Sequence, residues 1–303
     1  MKLVTYRKNK TSEARLGIIH NKKIVDAHKL GLISGFEFPD SMLKLIDQGP
    51  DAISALSDAV NERVTCMPPG TAIPEENVLL LAPIPTPRKN IFGIGLNYVE
   101  HVAESAKSLD TSKDLPTKPV VFSKPPTAVI GTGDSIQHNS KMTQQLDWEV
   151  ELAVIIGKKA TRIDTKNAMD HVFGYSIMND VSARDNRRAG QWIFSKGQDT
   201  FAPFGPCIVT ADEITDPHNL NLWLKKNGVE KQRSNTKHLL FNIPTLISDL
   251  SSGMTLEPGD IIATGTPSGV GAGRNPQEWM WPGDVIECGI DGIGILKNPV
   301  ISI

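Results

Sequence analysis

Alternating acidic residues occupy one predicted β-strand, in the segment LDWEVELAVIIG at residues 146–157. Because neighbouring side chains on a strand point to opposite faces, we expect Asp147, Glu149 and Glu151 to share one face. Adjacent carboxylates repel one another, and a hard divalent cation such as Mg²⁺, which prefers oxygen ligands, would relieve that repulsion. A solvated acidic strand face is the alternative. The apolar continuation over 153–156 favours an interior strand, where acidic side chains need a partner.

A further carboxylate follows a second predicted strand, in the segment MNDVSARD. Asp180 stands where we expect the strand over 173–180 to give way to a helix over 182–190, so its side chain could simply cap that helix. Together with the two glutamates of the first strand, it would complete a three-carboxylate site with open coordination positions. Arg184, one helical turn later, could pair with Asp180 or orient an acidic substrate.

A histidine and a glutamate lie three residues apart in GIGLNYVEHVAES, on a predicted helix over 97–107. His101 and Glu104 would share one face of that helix, and a histidine held by a carboxylate is the usual arrangement of a general base. A surface His–Glu pair is the alternative. The segment GIG lacks the third glycine and the following acidic residue of a dinucleotide-binding loop, so an NAD site is not supported.

Two glycine-containing segments add a cation and a set of backbone donors. Lys196 stands in the polar turn of FSKGQDTFAPFGP. The segment ATGTPSGVGAG predicts a loop whose backbone N–H groups could bind a carboxylate or a phosphate. This loop lacks the GK[ST] ending of a nucleotide-binding P-loop, and a tight turn between strands is the alternative.

The overall charge gives no sign of a polyanionic partner. The 303 residues include 32 Lys and Arg against 34 Asp and Glu, a formal net charge of −2, whereas proteins that bind nucleic acid through its phosphates usually carry a basic domain.

The three cysteines are too widely spaced for a disulfide framework or a CxxC metal pair. No apolar run approaches the roughly 20 residues of a membrane helix, and no signal peptide is apparent. We therefore expect a soluble cytoplasmic protein that binds neither nucleic acid nor a membrane.

The chain changes character around a proline-rich stretch between residues 68 and 87. Short strands and then helical spacing precede it, whereas strands dominate after residue 90 without regular strand–helix alternation. We expect a small α+β N-terminal domain over 1–75 and a mainly β catalytic domain over 76–303, built on a mixed or largely antiparallel sheet. Its predicted strands cover 90–95, 119–124, 146–157, 173–180, 206–210, 260–265 and 284–290, and further helices are predicted over 164–170 and 242–252.

In this order, the motifs NYVEH, FSKP, LDWEVELAVIIG, GYSIMNDVSARD, SKGQDTFAPFGP and ATGTPSGVG resemble the fumarylacetoacetate hydrolase family over about residues 80–300. The chain is similar to bacterial members that carry an extra N-terminal domain. The resemblance implies an α+β, mainly β fold with a mixed β-roll, and a homodimer. It also implies a lid around residues 97–115 that is mobile without ligand.

The same resemblance implies a role for each candidate residue. The metal ligands would be Glu149, Glu151 and Asp180, holding Mg²⁺ or, as in relatives, Mn²⁺ or Ca²⁺. His101 would be a general base, with Glu104 as its carboxylate partner. Lys196 would be a catalytic lysine beside the metal. The substrate contacts would be Arg184, Thr200 and Thr266.

The activity that the resemblance implies is metal-dependent hydrolysis of a C–C bond. The substrate would be a small anionic β-diketo acid of the acylpyruvate, fumarylpyruvate or fumarylacetoacetate type, cleaved to release a pyruvate-like enolate. An oxaloacetate decarboxylase, or an isomerase or decarboxylase of aromatic catabolism, would use the same metal–enolate chemistry. A binding protein without turnover is the non-enzymatic alternative, which the general-base pair and the lysine disfavour.

Overall fold

The N-terminal part of the chain forms an antiparallel group of strands, three helices and two short strands. In the computed structural model, which describes residues 1–63, 66–108 and 114–303, the strands of this part are β1 (Lys2–Arg7), β2 (Arg15–His20), β3 (Lys23–Asp26), β4 (Ala72–Pro74) and β5 (Leu79–Leu80). The helices are α1 (Ala27–Ser34), α2 (Met42–Gln48) and α3 (Pro50–Arg63).

Strands predominate beyond residue 90, and the helices there are short. The strands are β6 (Ile91–Gly95), β7 (Val120–Lys124), β8 (Val129–Ile130), β9 (Ile136–His138), β10 (Leu146–Asp147), β11 (Val150–Ile156), β12 (Val172–Asn179), β13 (Ser182–Ala183), β14 (Ala202–Thr210), β15 (Asn221–Lys226), β16 (Val229–Asn235), β17 (Ile261–Ala263), β18 (Val285–Ile290) and β19 (Gly294–Ser302). The helices are α4 (Val99–Ser108), α5 (Ile193–Lys196) and α6 (Ile243–Gly253). Within the described ranges, no helix is both long enough and apolar enough to span a membrane.

Within the described part of the chain, the strands assemble into one large, mostly antiparallel sheet and two smaller ones. The large sheet has the order β4-β3-β2-β1-β14-β12-β11-β17-β6-β7, with β5 on β1 and β8 on β14. Its parallel pairs are β17 with β6 and β14 with β8. A second sheet has the order β16-β15-β18-β19-β9, and β10 pairs with β13. These mixed sheets with short peripheral helices confirm the predicted fold class.

Both faces of the central strand β11 are covered, which explains its uninterrupted apolar sequence. Every residue of β11 is buried. Leu152 and Val154 belong to a core cluster shared with the second sheet, whereas Ala153 and Ile155 belong to a core cluster shared with α2 and α3. Because strands buried on both faces are shielded from water, any charged group on β11 depends on protein partners or bound ligands.

The N-terminal strands belong to the same sheet as the central strands. β1 pairs with β14 in the register Lys2↔Val209 and Leu3↔Ile208. The hydrogen-bonded sheet therefore continues across the predicted boundary between residues 75 and 76. The division of the chain into two domains stays a prediction.

The helix predicted over 182–190 is wrong. Ser182–Ala183 forms β13, which pairs with β10, and Arg184–Asn186 forms a single 3₁₀ turn. The backbone is left-handed at Ala189 and Gly190, with φ angles of 46° and 78°, and so departs from helical geometry. Asp180 consequently precedes a strand rather than a helix, and Arg184 is not placed one helical turn after it.

The strand predicted over 146–157 is divided in two. β10 pairs with β13 and β11 pairs with β12, so the chain changes partner at Trp148 and Glu149. The helix predicted over 164–170 is a 3₁₀ helix, Thr165–His171. Sequence reasoning also misses β15, β16 and β19, because polar residues, glycine and proline interrupt the alternation that it relies on.

Hydrogen bonds to the buried carboxylate of Asp26 join the first three strands. The carboxylate of Asp26 accepts hydrogen bonds from Tyr6 Oη at 2.7 Å and from Arg15 Nε and Nη2 at 2.6 and 2.9 Å. Burial would raise the pKa of Asp26, but the hydrogen bonds from Arg15 and Tyr6 outweigh it and lower that pKa below its ordinary value. The ionised carboxylate is therefore stabilised by folding.

Asp26→Asn is expected to lower the free energy of unfolding by about 3 kcal/mol at pH 7, because Arg15 loses a buried partner. Since the folded pKa is depressed, this stability difference should persist above pH ~4 and shrink as the pH falls further. Urea denaturation across pH measures it. The control is Asp40→Asn, because Asp40 forms an exposed ion pair with Lys44. This change should lower the free energy of unfolding by less than about 1 kcal/mol. Equal losses for the two variants would contradict the prediction.

Candidate active site

Three carboxylates meet where β11 and β12 run side by side. Glu149 precedes β11, Glu151 lies on it, and Asp180 follows β12. The pairing of Val150 with Asn179 aligns the two acidic segments, and the N–H of Asp180 donates to the carbonyl of Glu149 at 2.8 Å. All three side chains are buried, and one carboxylate oxygen of each lies within 4.8 Å of the others. The structure therefore brings together the three residues predicted as metal ligands.

Two basic side chains contact this cluster from the cleft side. Lys196, the last residue of α5, donates to Glu149 Oε2 at 2.8 Å and to Asp180 Oδ2 at 2.6 Å. Arg184 Nη2 lies 2.5 Å from Glu149 Oε1. Burial alone would raise the pKa of Glu149, but the charges of Lys196 and Arg184 lower it far below its ordinary value. The negative charges of Asp180 and Glu149 outweigh the effect of burial on Lys196 and raise its pKa. Glu149 and Lys196 are therefore both charged at neutral pH.

A second lysine, which sequence reasoning did not single out, lies behind Asp180. Lys124, the last residue of β7, is fully buried and donates to Asp180 Oδ1 at 2.5 Å and to the carbonyl of Val181 at 3.2 Å. It also donates to the carbonyl of Lys196. The FSKP motif, which contains Lys124, could have pointed to this residue, but the sequence did not show which carboxylate the lysine contacts. Through these hydrogen bonds, Lys124 links Asp180, a candidate metal ligand, to the backbone of Lys196.

Glu151 is the member of the cluster that the basic side chains leave without an ion pair. The N–H of Gly265 donates to Glu151 Oε2 at 2.9 Å, but among the described residues no lysine or arginine forms an ion pair with it. Burial and the negative charges of Asp180 and Glu149 raise the pKa of Glu151 well above its ordinary value. A cation bound at this point would offset that charge.

The chemistry of the cluster fits a hard divalent cation. Its donors are carboxylate oxygens, the ligands that Mg²⁺, Mn²⁺ and Ca²⁺ favour. Two buried polar atoms nearby, Tyr98 Oη and Asn179 Nδ2, have no hydrogen-bond partner in the part of the chain that the structure describes. Burial and the charge of Glu151 raise the pKa of Tyr98, so its hydroxyl is a donor that ligand or water oxygens around a cation could use.

Asp147 is not one of the three carboxylates whose oxygens lie within 4.8 Å of one another. It lies on β10, before the change of strand partner at Trp148 and Glu149. Its carboxylate instead accepts hydrogen bonds from Arg184 Nε at 2.9 Å and from the backbone N–H groups of Trp148, Gly271 and Ala272 at 2.8, 2.7 and 3.0 Å. Asp147 thereby fixes Arg184 and the loop after β17.

His101 and Glu104 lie together on α4. His101 Nδ1 is 3.1 Å from Glu104 Oε2, and His101 Nε2 is 3.3 Å from Ser105 Oγ. The N–H of Gly269 donates to Glu104 Oε1 at 2.9 Å, which anchors the carboxylate to the loop after β17. With Nδ1–H donated to Glu104, the lone pair of a neutral imidazole lies on Nε2. This is the tautomer that a general base requires.

One cleft connects the candidate base with the carboxylate cluster. Five of the predicted site residues line it, namely His101, Glu149, Arg184, Lys196 and Thr266. The candidate base, one of the three candidate metal ligands and two basic side chains therefore line a single pocket. Their individual roles stay predictions.

The two predicted threonine contacts differ in position. Thr266 Oγ1 donates to the carbonyl of Val150 at 2.9 Å and accepts from Gln232 Nε2 at 2.8 Å. Because its one hydrogen is already donated, the Thr266 hydroxyl could only accept a hydrogen bond from a ligand. Thr200 Oγ1 accepts from the N–H of Gln137 at 2.9 Å, and Thr200 is not among the described residues that line the cleft. A substrate contact by Thr200 stays a prediction.

Sequence reasoning missed several of the described residues that line the cleft, among them Arg187 and Trp192. Arg187 follows the 3₁₀ turn after β13, and Trp192 precedes α5. Their signal was the basic and aromatic composition of NRRAGQW, which the incorrect helix over 182–190 obscured. The predicted lid over 97–115 is described only in part, because residues 109–113 lie outside the described residues. Its mobility stays a prediction.

Comparisons with known proteins agree with the fold and identify the family. A family model described as fumarylacetoacetate (FAA) hydrolase C-terminal matches residues 90–301. The chain belongs to the fumarylacetoacetate hydrolase family and is an enzyme of that superfamily. In sequence it is 47% identical to oxaloacetate tautomerase YisK of Bacillus subtilis over 224 residues, which cover 74% of this chain and 73% of that one.

Two solved structures are similar over the whole chain. Fumarylacetoacetate hydrolase from Exiguobacterium antarcticum is 36% identical, with a TM-score of 0.83 and 100% of both chains covered. Maleylpyruvate hydrolase from Sphingobium sp. SYK-6, in complex with manganese (II) ion and pyruvate, is 31% identical, with a TM-score of 0.78 and 100% and 99% of the two chains covered. Relatives of the same fold thus include a tautomerase and hydrolases.

Glu151→Gln is expected to weaken Mn²⁺ binding by at least about 10-fold, because it removes a negative oxygen ligand from the buried cluster. Electron paramagnetic resonance of free Mn²⁺ in a titration measures this affinity. Glu230→Gln, at an exposed position on β16, is the control and should bind Mn²⁺ like the unmodified protein. Equal affinities of all three proteins would contradict a metal site at Glu151.

Proposed function

We propose that this protein is a divalent-metal-dependent tautomerase that interconverts the enol and keto forms of oxaloacetate. The observation that carries the proposal is that Glu149, a member of the carboxylate cluster, and His101, which is paired with Glu104, line one cleft. The similarity to a tautomerase of Bacillus subtilis supports this reaction over the others that the family's site chemistry allows.

The metal would be held by Glu149, Glu151 and Asp180, with Mg²⁺ or Mn²⁺ the favoured ions and Ca²⁺ a third. When bound, a divalent cation supplies Lewis-acid polarisation of the 2-oxo group, which acidifies the neighbouring C–H bond. The Mn²⁺ and pyruvate in the structure of the Sphingobium relative support both the metal and the substrate class.

His101 would move the proton at the carbon next to the oxo group. Enol-to-keto conversion takes one proton from the enol hydroxyl and places one on that carbon, and no other atom is exchanged. Glu104 orients the imidazole so that Nε2 carries the lone pair, and it stabilises the imidazolium that forms when Nε2 holds the proton. The imidazole can then deliver that proton to the carbon.

Lys196 would stabilise the oxygen on which negative charge develops. Its ammonium is held by Glu149 and Asp180 in a buried position, where a charge-assisted hydrogen bond is stronger than in water. Arg184, fixed by Asp147 and Glu149, supplies a further positive charge to an anionic substrate.

Hydrolysis of an acylpyruvate is the second candidate, and the similarity to maleylpyruvate hydrolase favours it specifically. In that reaction His101 would deprotonate a water molecule that attacks the carbonyl farther from the carboxylate, and the C–C bond would then break to release a carboxylic acid and pyruvate in its enol form. Decarboxylation of oxaloacetate forms the same enol. The three reactions share the residues described above, so the products distinguish them.

A substrate panel with Mg²⁺ tests the proposal. Ultraviolet absorbance follows the loss of enol-oxaloacetate, and lactate dehydrogenase detects pyruvate formed from oxaloacetate, acetylpyruvate and fumarylpyruvate. We expect rapid loss of the enol and no pyruvate above the protein-free rate. Pyruvate from a diketo acid, without faster enol loss, would replace the tautomerase by the hydrolase. Pyruvate from oxaloacetate would indicate a decarboxylase.

His101→Asn is expected to lower kcat for tautomerisation by roughly 10²–10⁴-fold, because the proton carrier is lost. Mn²⁺ affinity should be unchanged, because His101 is not part of the carboxylate cluster. His28→Asn, at an exposed position on α1, is the control and should retain kcat. Full turnover by the His101 variant would exclude His101 as the base.

A further inference from the structure

A serine hydroxyl lies against the nitrogen that acts as the base in the proposed reaction. Ser105 follows His101 by one helical turn on α4, so both side chains share one face of the helix. Ser105 Oγ is 3.3 Å from His101 Nε2. Ser105 is buried from solvent, yet it lines the same cleft as His101 and Glu149. Ser105 therefore borders both the base and the space that a substrate would occupy.

The tautomer of His101 determines the direction of this hydrogen bond. His101 Nδ1 is 3.1 Å from Glu104 Oε2, and a carboxylate only accepts, so the proton of a neutral imidazole is on Nδ1 and the lone pair is on Nε2. Ser105 then donates its Oγ–H to Nε2, and the serine oxygen keeps its own lone pairs as acceptors. A hydroxyl in this arrangement can accept a proton from a substrate while it gives its own proton to the imidazole.

The same contact occupies the site at which the base would take up a proton. A ring nitrogen of this kind has a single lone pair, which lies in the plane of the imidazole. Because the lone pair of His101 Nε2 already accepts from Ser105, it offers no second direction to a substrate proton. While this hydrogen bond is kept, a proton that reaches or leaves Nε2 passes through the serine hydroxyl.

We infer that Ser105 is a catalytic residue that relays the proton between the substrate and His101. This inference rests on the proposed function and adds a residue to it. As the O–H bond of the enol breaks, its proton bonds to Ser105 Oγ, and the Oγ–H proton bonds to Nε2. The serine keeps one proton, the imidazole becomes an imidazolium, and the substrate becomes an enolate. The reverse transfers place a proton on the carbon next to the oxo group, so the ketone forms without any other atom being exchanged.

Three variants of the full chain test the relay with Mg²⁺ and enol-oxaloacetate. Ser105→Ala removes the hydroxyl. Ser105→Thr and Ser105→Val form a matched pair, because both side chains are β-branched and similar in size but only threonine has a hydroxyl. Ser251→Ala is the control, because Ser251 is a buried helical serine on α6 and is not among the described residues that line the cleft.

We expect Ser105→Ala to lower kcat by roughly 10²-fold with a smaller change in KM, because a positioned proton carrier is lost. Ser105→Thr should exceed Ser105→Val in kcat by about 10-fold or more, and Ser251→Ala should retain kcat. Mn²⁺ affinity should be unchanged in Ser105→Ala, because Ser105 is not part of the carboxylate cluster. Full turnover by Ser105→Ala, or equal kcat values in folded Thr and Val variants, would overturn the relay.

A proton inventory separates a relay from a hydroxyl that only holds the imidazole in place. In this experiment kcat is measured in mixtures of H₂O and D₂O. Several protons that move in one step make kcat a curved function of the deuterium fraction, whereas a single moving proton gives a straight line. The unmodified protein and Ser251→Ala should give a curve, and Ser105→Ala a straight line. A straight line, or no dependence on deuterium, in the unmodified protein would overturn the relay.

Nitrogen-15 NMR of the histidine side chains separates this inference from the proposed function, because it needs no turnover. His101→Asn identifies the signals of His101. The Nε2 signal should shift in Ser105→Ala and keep its position in Ser251→Ala. Such a shift, in a protein without tautomerase activity, would refute the proposed reaction and the relay with it, while the hydrogen bond would be established. Tautomerase activity that depends on His101 but not on Ser105 would refute the relay alone.

Discussion

The site depends on one constraint, which is that several carboxylates are buried beside one another without enough basic side chains to balance them. Lys196, Arg184 and Lys124 pair with Glu149, Asp180 and Asp147. Glu151 is left with a backbone N–H donor and two like charges nearby. Burying such a group in its ionised form is unfavourable unless a further positive charge binds, so a cation that binds here would stabilise the carboxylate form of Glu151.

Two features of the fold impose this constraint. Sheet, strand and helix packing covers both faces of β11, which keeps water from the acidic side chains. The chain also changes strand partner at Trp148 and Glu149, which separates Asp147 from the cluster and lets it hold Arg184 and the loop after β17. Gln232 strengthens the same arrangement, because it hydrogen-bonds both the N–H of Val150 and the hydroxyl of Thr266.

The sequence predicted the fold class and the carboxylate cluster because both depend on local patterns of residue types. Alternating acidic and apolar residues marked the strand of Glu149 and Glu151. Local patterns also marked Asp180, His101 and Lys196, and the family motifs then gave each of them a role. Local patterns could not show contacts between distant segments, such as those of Lys124 with Asp180. The incorrect helix over 182–190 has the same origin, since the pairing of β13 with β10 overrides local helical spacing. Cytoplasmic localisation and a homodimer stay predictions.

The central claim is that Glu149, Glu151 and Asp180 bind a divalent cation at which an anionic oxo acid is held. Anomalous diffraction from crystals grown with Mn²⁺ and pyruvate tests it most directly. The account predicts an anomalous peak bounded by the three carboxylates, with pyruvate between that peak and His101. A well-ordered cluster without such a peak, in which Lys196 keeps its contacts with both Glu149 and Asp180, would contradict it.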